Sequence, residues 1–359
     1  MVGRSRPPLR DYPARRIALL KPSALGDIVH SLPVLTALRR RFPAAHLTWI
    51  VNRGYEPLLR DHPDLDETLA FDRGATRGGP WHAGLAYGRL LREIRRRAFD
   101  LVVDLQGLLR TGLMAAASGA ARRVGLSTAR EGATWFYTDV VPVADFQALH
   151  AVDRYWLLAE ALGAGEGPKV FHVPVPAEAR RWVREELSGC PRPWLVLGVG
   201  SRWHTKRWPP EHFAALVRRM QEGFGGTAIL VGGGDETNLS AATGQLVRGE
   251  KRDLTGRTTL PQLVAVLAEA DAVLANDTGP LHLAAALGRP VVAPYTCTKV
   301  RLNGPYGFEK GTAEAEIWCQ GSYLKRCPRL DCMTALGPDR LWPLLQEVLL
   351  SWESHRRSA

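Results

Sequence analysis

The sequence predicts an α/β protein built from two doubly wound, Rossmann-like domains, and three observations carry that expectation. Short apolar runs alternate with longer stretches of helical periodicity along the whole chain, the pattern of βαβ units around a mostly parallel sheet. A Gly/Pro-rich passage over 163–178, GAGEGPKVFHVPVPAE, breaks that alternation and reads as a linker. The 359 residues, 45% apolar and 23% charged, suffice for two cores of ordinary size. The domains are therefore placed at 1–170 and 171–359.

In the first domain the strand candidates are 17–20, 47–51, 68–71, 101–104 and 123–126, with helices near 27–41, 83–98, 108–117 and 150–162. The second series has strands at 194–199, 227–231, 272–275 and 290–293, separated by helices near 210–222, 236–247, 260–270 and 280–287. A last helix, about 338–354, is expected to close the chain and to be able to pack back on the first domain. The start, residues 1–16, holds three prolines and five arginines and reads as a frayed arm.

The formal charge of +11 calls for an anionic partner: nucleic acid, a membrane surface or a phosphorylated substrate. Residues 1–170 carry 24 Lys and Arg against 17 Asp and Glu, and 171–359 carry 23 against 19, so the excess leans to the first half. Five cysteines, Cys190, Cys297, Cys319, Cys327 and Cys332, are odd in number and sparse, which argues against a disulfide framework. None forms Cys-x-x-Cys, so a zinc site is the lesser reading of the last three. No apolar run is long enough to span a bilayer or to serve as a signal peptide, and the expected compartment is the cytoplasm.

Four strand-end constellations could carry chemistry. In KPSALGDIVHSLP (21–33) the chain leaves its first strand for its first helix, and ligands bind at this edge of a parallel sheet. There Gly26 permits an unusual angle or a close approach, Asp27 is either a helix N-cap or a catalytic carboxylate, and His30 lies one turn on. In GVGSRWHTKRWPPEHF (198–213), Gly198 and Gly200 admit a phosphate to backbone amides, with Ser201, Thr205 and Lys206 as donors; the alternative is a solvated basic loop. It is neither a dinucleotide fingerprint nor a P-loop. In NDTGPLHLAAALGRPVV (276–292), Asp277, Thr278 and Gly279 end a strand where a helix begins, an anion site by its N–H groups. His282 is either near that mouth or structural. Finally DLQGLLRTGL (104–113) brings Asp104, Gln106 and Arg110 to a strand end, with Arg122, Arg123 and Arg130 following.

Two further features stay open on the sequence. The stretch LAYGRLLREIRRRAF (85–99) is a basic amphipathic helix that suits an anionic membrane or simply turns one side to the core. The turn 232–236 could border a ribose through Glu236, or be a bare glycine turn. The triplet Asp64-Leu65-Asp66 is discounted as a metal motif.

Taken in order, KPSALGDIVHSLPVLTALRRRFP, DLQGLLRTGL, TAREG, KRWPPEHF, DLTGRTTLPQLVAVLAEADAVLANDTGPLHLAAALGRPVV and GPYG resemble the lipopolysaccharide heptosyltransferases of glycosyltransferase family 9. That resemblance implies a GT-B fold: an acceptor held mainly by the first domain, an ADP-sugar mainly by the second, chemistry in the cleft between. It implies an inverting, metal-independent transfer of heptose from ADP-heptose to an inner-core lipid A precursor, an anionic glycolipid, at the inner face of the cytoplasmic membrane. No cofactor and no nucleic acid are expected.

Residue by residue, the resemblance makes Asp27 the general base, Lys206 the donor-phosphate lysine, and Asp277, Thr278, Gly279 and His282 the donor loop, with Ser23 and Gly26 beside the base. Ser201, Thr205 and Glu236 join the donor set, and Gln106, Arg110 and Arg130 the acceptor set. The segment Tyr295-Thr296-Cys297-Thr298 departs from the family's Gly-Pro-Thr. Against this stand a sugar-nucleotide epimerase or hydrolase of the same architecture, and a basic nucleic-acid-binding protein without enzymatic activity.

Overall fold

The computed structural model describes residues 7–72 and 80–358. They form two compact units, Met1–Pro174 and Val175–Ala359, divided inside the Gly/Pro-rich stretch.

The first unit runs β1 (Arg16–Leu20), α1 (Leu25–Arg41), β2 (His46–Asn52), β3 (Glu67–Phe71), α2 (Pro80–Arg96), β4 (Leu101–Asp104), α3 (Leu109–Ser118), β5 (Arg122–Leu126), β6 (Asp139–Val141) and α4 (Ala151–Ala161). Its sheet is parallel throughout, in the order β3-β2-β1-β4-β5-β6. Strands covered on both faces read as continuous apolar runs, and Ile17–Leu20 and Leu101–Val103 at its centre are buried almost completely.

The second unit opens with α5 (Ala177–Glu186), then β7 (Trp194–Gly198), α6 (Pro210–Phe224), β8 (Thr227–Leu230), α7 (Thr237–Leu246), β9 (Lys251–Asp253), α8 (Leu260–Glu269), β10 (Ala272–Ala275), α9 (Gly279–Ala286), β11 (Val291–Tyr295), α10 (Val300–Asn303), β12 (Thr312–Glu314), α11 (Asp331–Ala335) and α12 (Pro338–Ser358). The order β12-β11-β10-β7-β8-β9 repeats the first sheet's winding. In each sheet the connections reverse direction beside the first strand, between β1 and β4 and between β7 and β10. In such a sheet, ligands bind at the carboxyl ends of the strands flanking that switch point.

One expectation changes here. Residues 1–6 of the expected frayed arm lie outside the described residues, but the rest is tied down. The Tyr12 hydroxyl donates to the Asp100 carbonyl at 3.2 Å, and the Arg15 N–H to the Asp100 carboxylate at 2.8 Å. The last helix uses its apolar side within its own unit. Leu341, Leu345 and Leu349, spaced four apart, are fully buried in the core with Trp208, Phe213 and Leu216. At about 2 kcal/mol for each buried leucine, that face is committed to the second sheet.

Candidate active site

At the switch point of the first unit, the chain leaves β1 through Lys21 to Ala24, and the Ser23–Ala24 peptide is cis. Ala24, not Asp27, is the N-cap of α1; Asp27 is the third helical residue, and its Oδ2 accepts the Ala24 N–H at 3.2 Å. Asp27 thus does a capping residue's work with one oxygen, and a carboxylate in the first turn is favoured by the helix dipole. Its side chain remains 42% exposed. The other oxygen, Oδ1, lies 3.4 Å from the Tyr155 hydroxyl on α4 and 4.0 Å from Lys21 Nζ.

Lys21 is buried beneath this turn. Its ammonium donates to the Leu105 carbonyl at 2.9 Å and to the Tyr155 oxygen at 2.7 Å, tying the ends of β1 and β4 together. Burial opposes that charge, but Tyr155, Asp27 and Asp104 together hold the ammonium's pKa above its ordinary value. Burial likewise pushes the Tyr155 hydroxyl up in spite of Lys21, so it stays a donor. A cation, a phenol and a carboxylate stand in line, with the carboxylate at the accessible end.

The rest of this half-site divides. Asp104 is buried and its pKa is raised by that burial, although its carboxylate accepts from the Gln106 and Gly107 N–H groups at 2.9 and 3.0 Å and from Tyr137 at 2.7 Å. It shapes the turn. Gln106 Oε1 is buried without a hydrogen bond to any described residue, and the Arg130 N–H donates to the Gly107 carbonyl at 2.8 Å, which brings TAREG against DLQG. Arg110 lies in the first turn of α3, and Arg130 is exposed. Ser23 is buried in the turn. Gly26 lies within the helix and has no positive φ, which removes the unusual-angle reading. His30 is buried edge-to-face on His150, with ring centroids 5.2 Å apart; it belongs to the core, not to the mouth.

In the second unit, Asn276 at the end of β10 joins it to β7: its N–H donates to Gly198 at 3.1 Å and its amide to Val199 at 2.8 Å, while its Oδ1 accepts from the Trp208 N–H at 3.2 Å. Next to it Asp277 is buried, with Oδ2 receiving Lys206 Nζ at 2.6 Å and Thr298 Oγ1 at 2.7 Å, and Oδ1 lying 3.2 Å from His282 Nε2. Burial would raise this carboxyl; Lys206, and then His282, outweigh it and hold it well below the usual range. Asp277 and His282, expected in the donor loop, are buried in one cluster with Lys206. Lys206 Nζ also donates to the Asp277 carbonyl at 3.3 Å, so two of its three donors are engaged. It lies 4.6 Å from the Trp203 ring centroid.

Thr278 is the N-cap of α9, and Gly279 its first residue. With Pro280 next in line, having no N–H to offer, the amides of Thr278 and Gly279 lead this helix start. Glu236 closes the short turn Gly234–Glu236 that follows β8. A Cβ on Gly200 would come within 2.0 Å of its carboxylate and one on Gly232 within 2.5 Å, so both glycines make room for it. Burial raises its pKa, and it accepts the Gly233 N–H at 3.0 Å. Thr205, expected to meet phosphate, is buried with its hydroxyl donating to the Leu324 carbonyl, because the 323–325 segment docks on this loop. The Ser201 hydroxyl accepts the Trp203 N–H at 3.3 Å. Among the described residues no three His, Cys, Asp or Glu side chains form a metal-ligand group, and all five thiols are free.

Sequence reasoning missed Tyr155, which no motif marks, the anchoring role of Lys21, and Thr298. The last lies in the segment that departs from the family pattern, where Thr296 also donates to the Thr205 carbonyl.

The chain matches the family model for glycosyltransferase family 9 (heptosyltransferase) over residues 87–332. It belongs to glycosyltransferase family 9. A relative, lipopolysaccharide heptosyltransferase 1 of Pseudomonas aeruginosa, is 30% identical over 366 aligned positions, spanning 95% of this chain and all of the relative. A family-9 glycosyl transferase structure from Veillonella parvula superposes with a TM-score of 0.84 at 22% identity, covering 94% of this chain and 98% of that one. E. coli heptosyltransferase WaaC, solved with ADP-2-deoxy-2-fluoro heptose, gives a TM-score of 0.72 at 24% identity over 92% and 99%. The fold is GT-B. As a family-9 member the protein is a glycosyltransferase, which sets aside the epimerase and the nucleic-acid-binding alternatives.

Proposed function

We propose that this glycosyltransferase moves a heptose from ADP-heptose to an inner-core lipopolysaccharide acceptor of the Kdo-lipid A type, with inversion, at the inner face of the cytoplasmic membrane. The first unit binds acceptor and the second binds donor. The observation that carries the reading is that the two sheets present complementary chemistry at equivalent switch points: an accessible carboxylate beside Tyr155 in one, an anchored ammonium and a helix start in the other. The choice of heptose and of lipopolysaccharide rests on the Pseudomonas relative and on the ligand of the E. coli structure.

In this mechanism Asp27 Oδ1 takes the proton of the acceptor hydroxyl as its oxygen bonds to the anomeric carbon. The bond from that carbon to the β-phosphate oxygen breaks, and a single displacement inverts the centre. Negative charge gathers on the departing ADP, where Lys206 spends its third donor and the Thr278 and Gly279 amides add theirs. Glu236 accepts from the ribose, while Ser201 lines the phosphate loop. Gln106, Arg110 and Arg130 bind the acceptor, whose phosphates and sugar-acid carboxylates suit guanidinium groups.

A thermal-shift panel of ADP-, UDP-, GDP- and CMP-sugars, followed by transfer to a Kdo-lipid A acceptor, tests the reading. Stabilisation by ADP-sugars alone, with product formed from ADP-heptose, is the expected result. Stabilisation by another nucleotide only would overturn the donor assignment.

A further inference from the structure

The outer face of α2 has no role in that chemistry, and its composition is unusual for a surface helix. Its inner side buries Leu90 and Ile94, with Tyr87 and Leu91 packed against the same core. The opposite side carries Trp81, Leu85, Arg89, Arg92 and Arg96. At 100° per residue these five fall within an arc of about 80°. Trp81 is 78% exposed and Leu85 47%, and the three arginines are exposed behind them. Arg96 approaches Glu93 at 3.7 Å yet keeps 77% of its side-chain surface in water. Gly88, at the edge of this stripe, has no described atom within 4 Å of where a Cβ would stand, so no described residue covers the helix there.

Neighbouring elements extend it. The Tyr87 hydroxyl donates to the Arg110 carbonyl at 2.5 Å, and α2 packs on α3. A Cβ on Gly112 of α3 would come within 2.8 Å of the Phe136 ring, so α3 lies directly on the short turn Ala133–Phe136. That turn exposes Trp135 by 86%, and Leu109 at the start of α3 is 41% exposed. Exposed apolar side chains thus recur on three elements packed in succession, Trp81 and Leu85 on α2, Leu109 on α3 and Trp135 on the turn against α3, and α2 adds its row of guanidinium groups.

We propose that this face docks the protein on an anionic lipid bilayer, with Trp81, Leu85 and Trp135 entering the headgroup boundary and Arg89, Arg92 and Arg96 meeting lipid phosphates. Tryptophan prefers that boundary because its ring is apolar and its N–H is polar, and arginines near an anionic leaflet each gain from its surface potential. A partner protein's apolar patch would satisfy the indoles but would leave the arginine row unmatched; an anionic bilayer satisfies both, and the chain's charge of +11 acts in the same direction. The proposal leans on the transferase reading only in that a lipid acceptor would be found on such a surface.

Flotation of the full chain with vesicles tests it without any substrate, so failure here leaves the transferase reading untouched. The protein is expected to float with phosphatidylcholine vesicles containing phosphatidylglycerol, to float far less with phosphatidylcholine alone, and to be released by salt. W81S/L85S/W135S and R89Q/R92Q/R96Q should each melt like wild type and keep turnover on a deacylated acceptor. The arginine variant should lose roughly hundredfold in vesicle affinity, at about fivefold per arginine. Equal binding to neutral vesicles, no binding to either, or unaltered binding by both variants would overturn the proposal. So would a solution dimer that the W81S/L85S/W135S variant dissolves, since the face would then belong to a second copy of the chain.

Discussion

Replacing Asp277 by asparagine keeps the shape of the side chain and removes one charge from the buried polar cluster around Lys206. The carboxylate is 5% exposed and carries Lys206 at 2.6 Å, Thr298 at 2.7 Å and His282 at 3.2 Å. Removing one partner of a buried ion pair costs about 3–5 kcal/mol, because the surviving charge is left uncompensated. Lys206 keeps 16% exposure and can turn part of the way to water, which lowers the expected loss to about 2–3 kcal/mol. For a unit of this size that is a fall in melting temperature of roughly 5–10 °C.

The pH dependence separates this carboxylate from other causes. Its folded pKa lies below the ordinary 3.8, so its stabilisation is complete above that value and is lost only as the pH falls through it toward the folded one. Urea or thermal melts of wild type and Asp277→Asn should therefore differ by the same amount from pH 8 to pH 5. Melts that coincide, or a gap that vanishes between pH 8 and pH 6, would refute the reasoning.

Tyr155→Phe deletes the hydroxyl between Lys21 and Asp27; hydrogen bonds to charged groups are worth about 1.5–3 kcal/mol, so kcat should fall about tenfold or more with donor affinity unchanged, and wild-type turnover would refute a positioning role. Gly200→Ala places a methyl where the Glu236 carboxylate lies; the carboxylate can move, so isothermal titration should show ADP binding several-fold weaker while the melting temperature changes little. His62 is buried, and its pKa is lowered by that burial from 6.5 to about 4, so the unfolded chain takes up its proton first as the pH falls. The first unit should lose about 2 kcal/mol between pH 7 and pH 5 from this residue. His62→Gln should flatten that loss in paired melts, and an unchanged slope would assign it elsewhere.

The inner strands were legible because each is an apolar run that ends in, or is followed at once by, glycine or a polar residue: Lys21 after β1, Asp104 in β4, Gly198 in β7 and Asn276 after β10. The edge strands β6, β9 and β12 were not: each is three residues long, and the Lys251–Asp253 strand is fully exposed and wholly charged, so only its pairing with β8 marks it. The helix Ala177–Glu186, just past the expected linker, was not expected, because only Ala179 and Val183 give it a buried side. The strand-end motifs pointed to the loops at both switch points, since topology alone sends them there. What side chains do there depends on tertiary contacts. Tyr155 meets Asp27 from 128 residues away, and His30 and His282 turn inward where their positions near a strand end suggested a mouth. Asp27 itself shows why local patterns leave roles open, for the same carboxylate caps a helix with one oxygen, meets Tyr155 with the other, and stays 42% exposed.

The most direct test of the proposed chemistry is a paired measurement on Asp27→Ala: donor binding by titration calorimetry, and sugar transfer under single-turnover conditions. The account predicts donor affinity within about twofold of wild type, since the donor elements lie in the other unit, and transfer slowed by at least about a hundredfold, the usual contribution of a general base. Near-normal transfer by Asp27→Ala would contradict it.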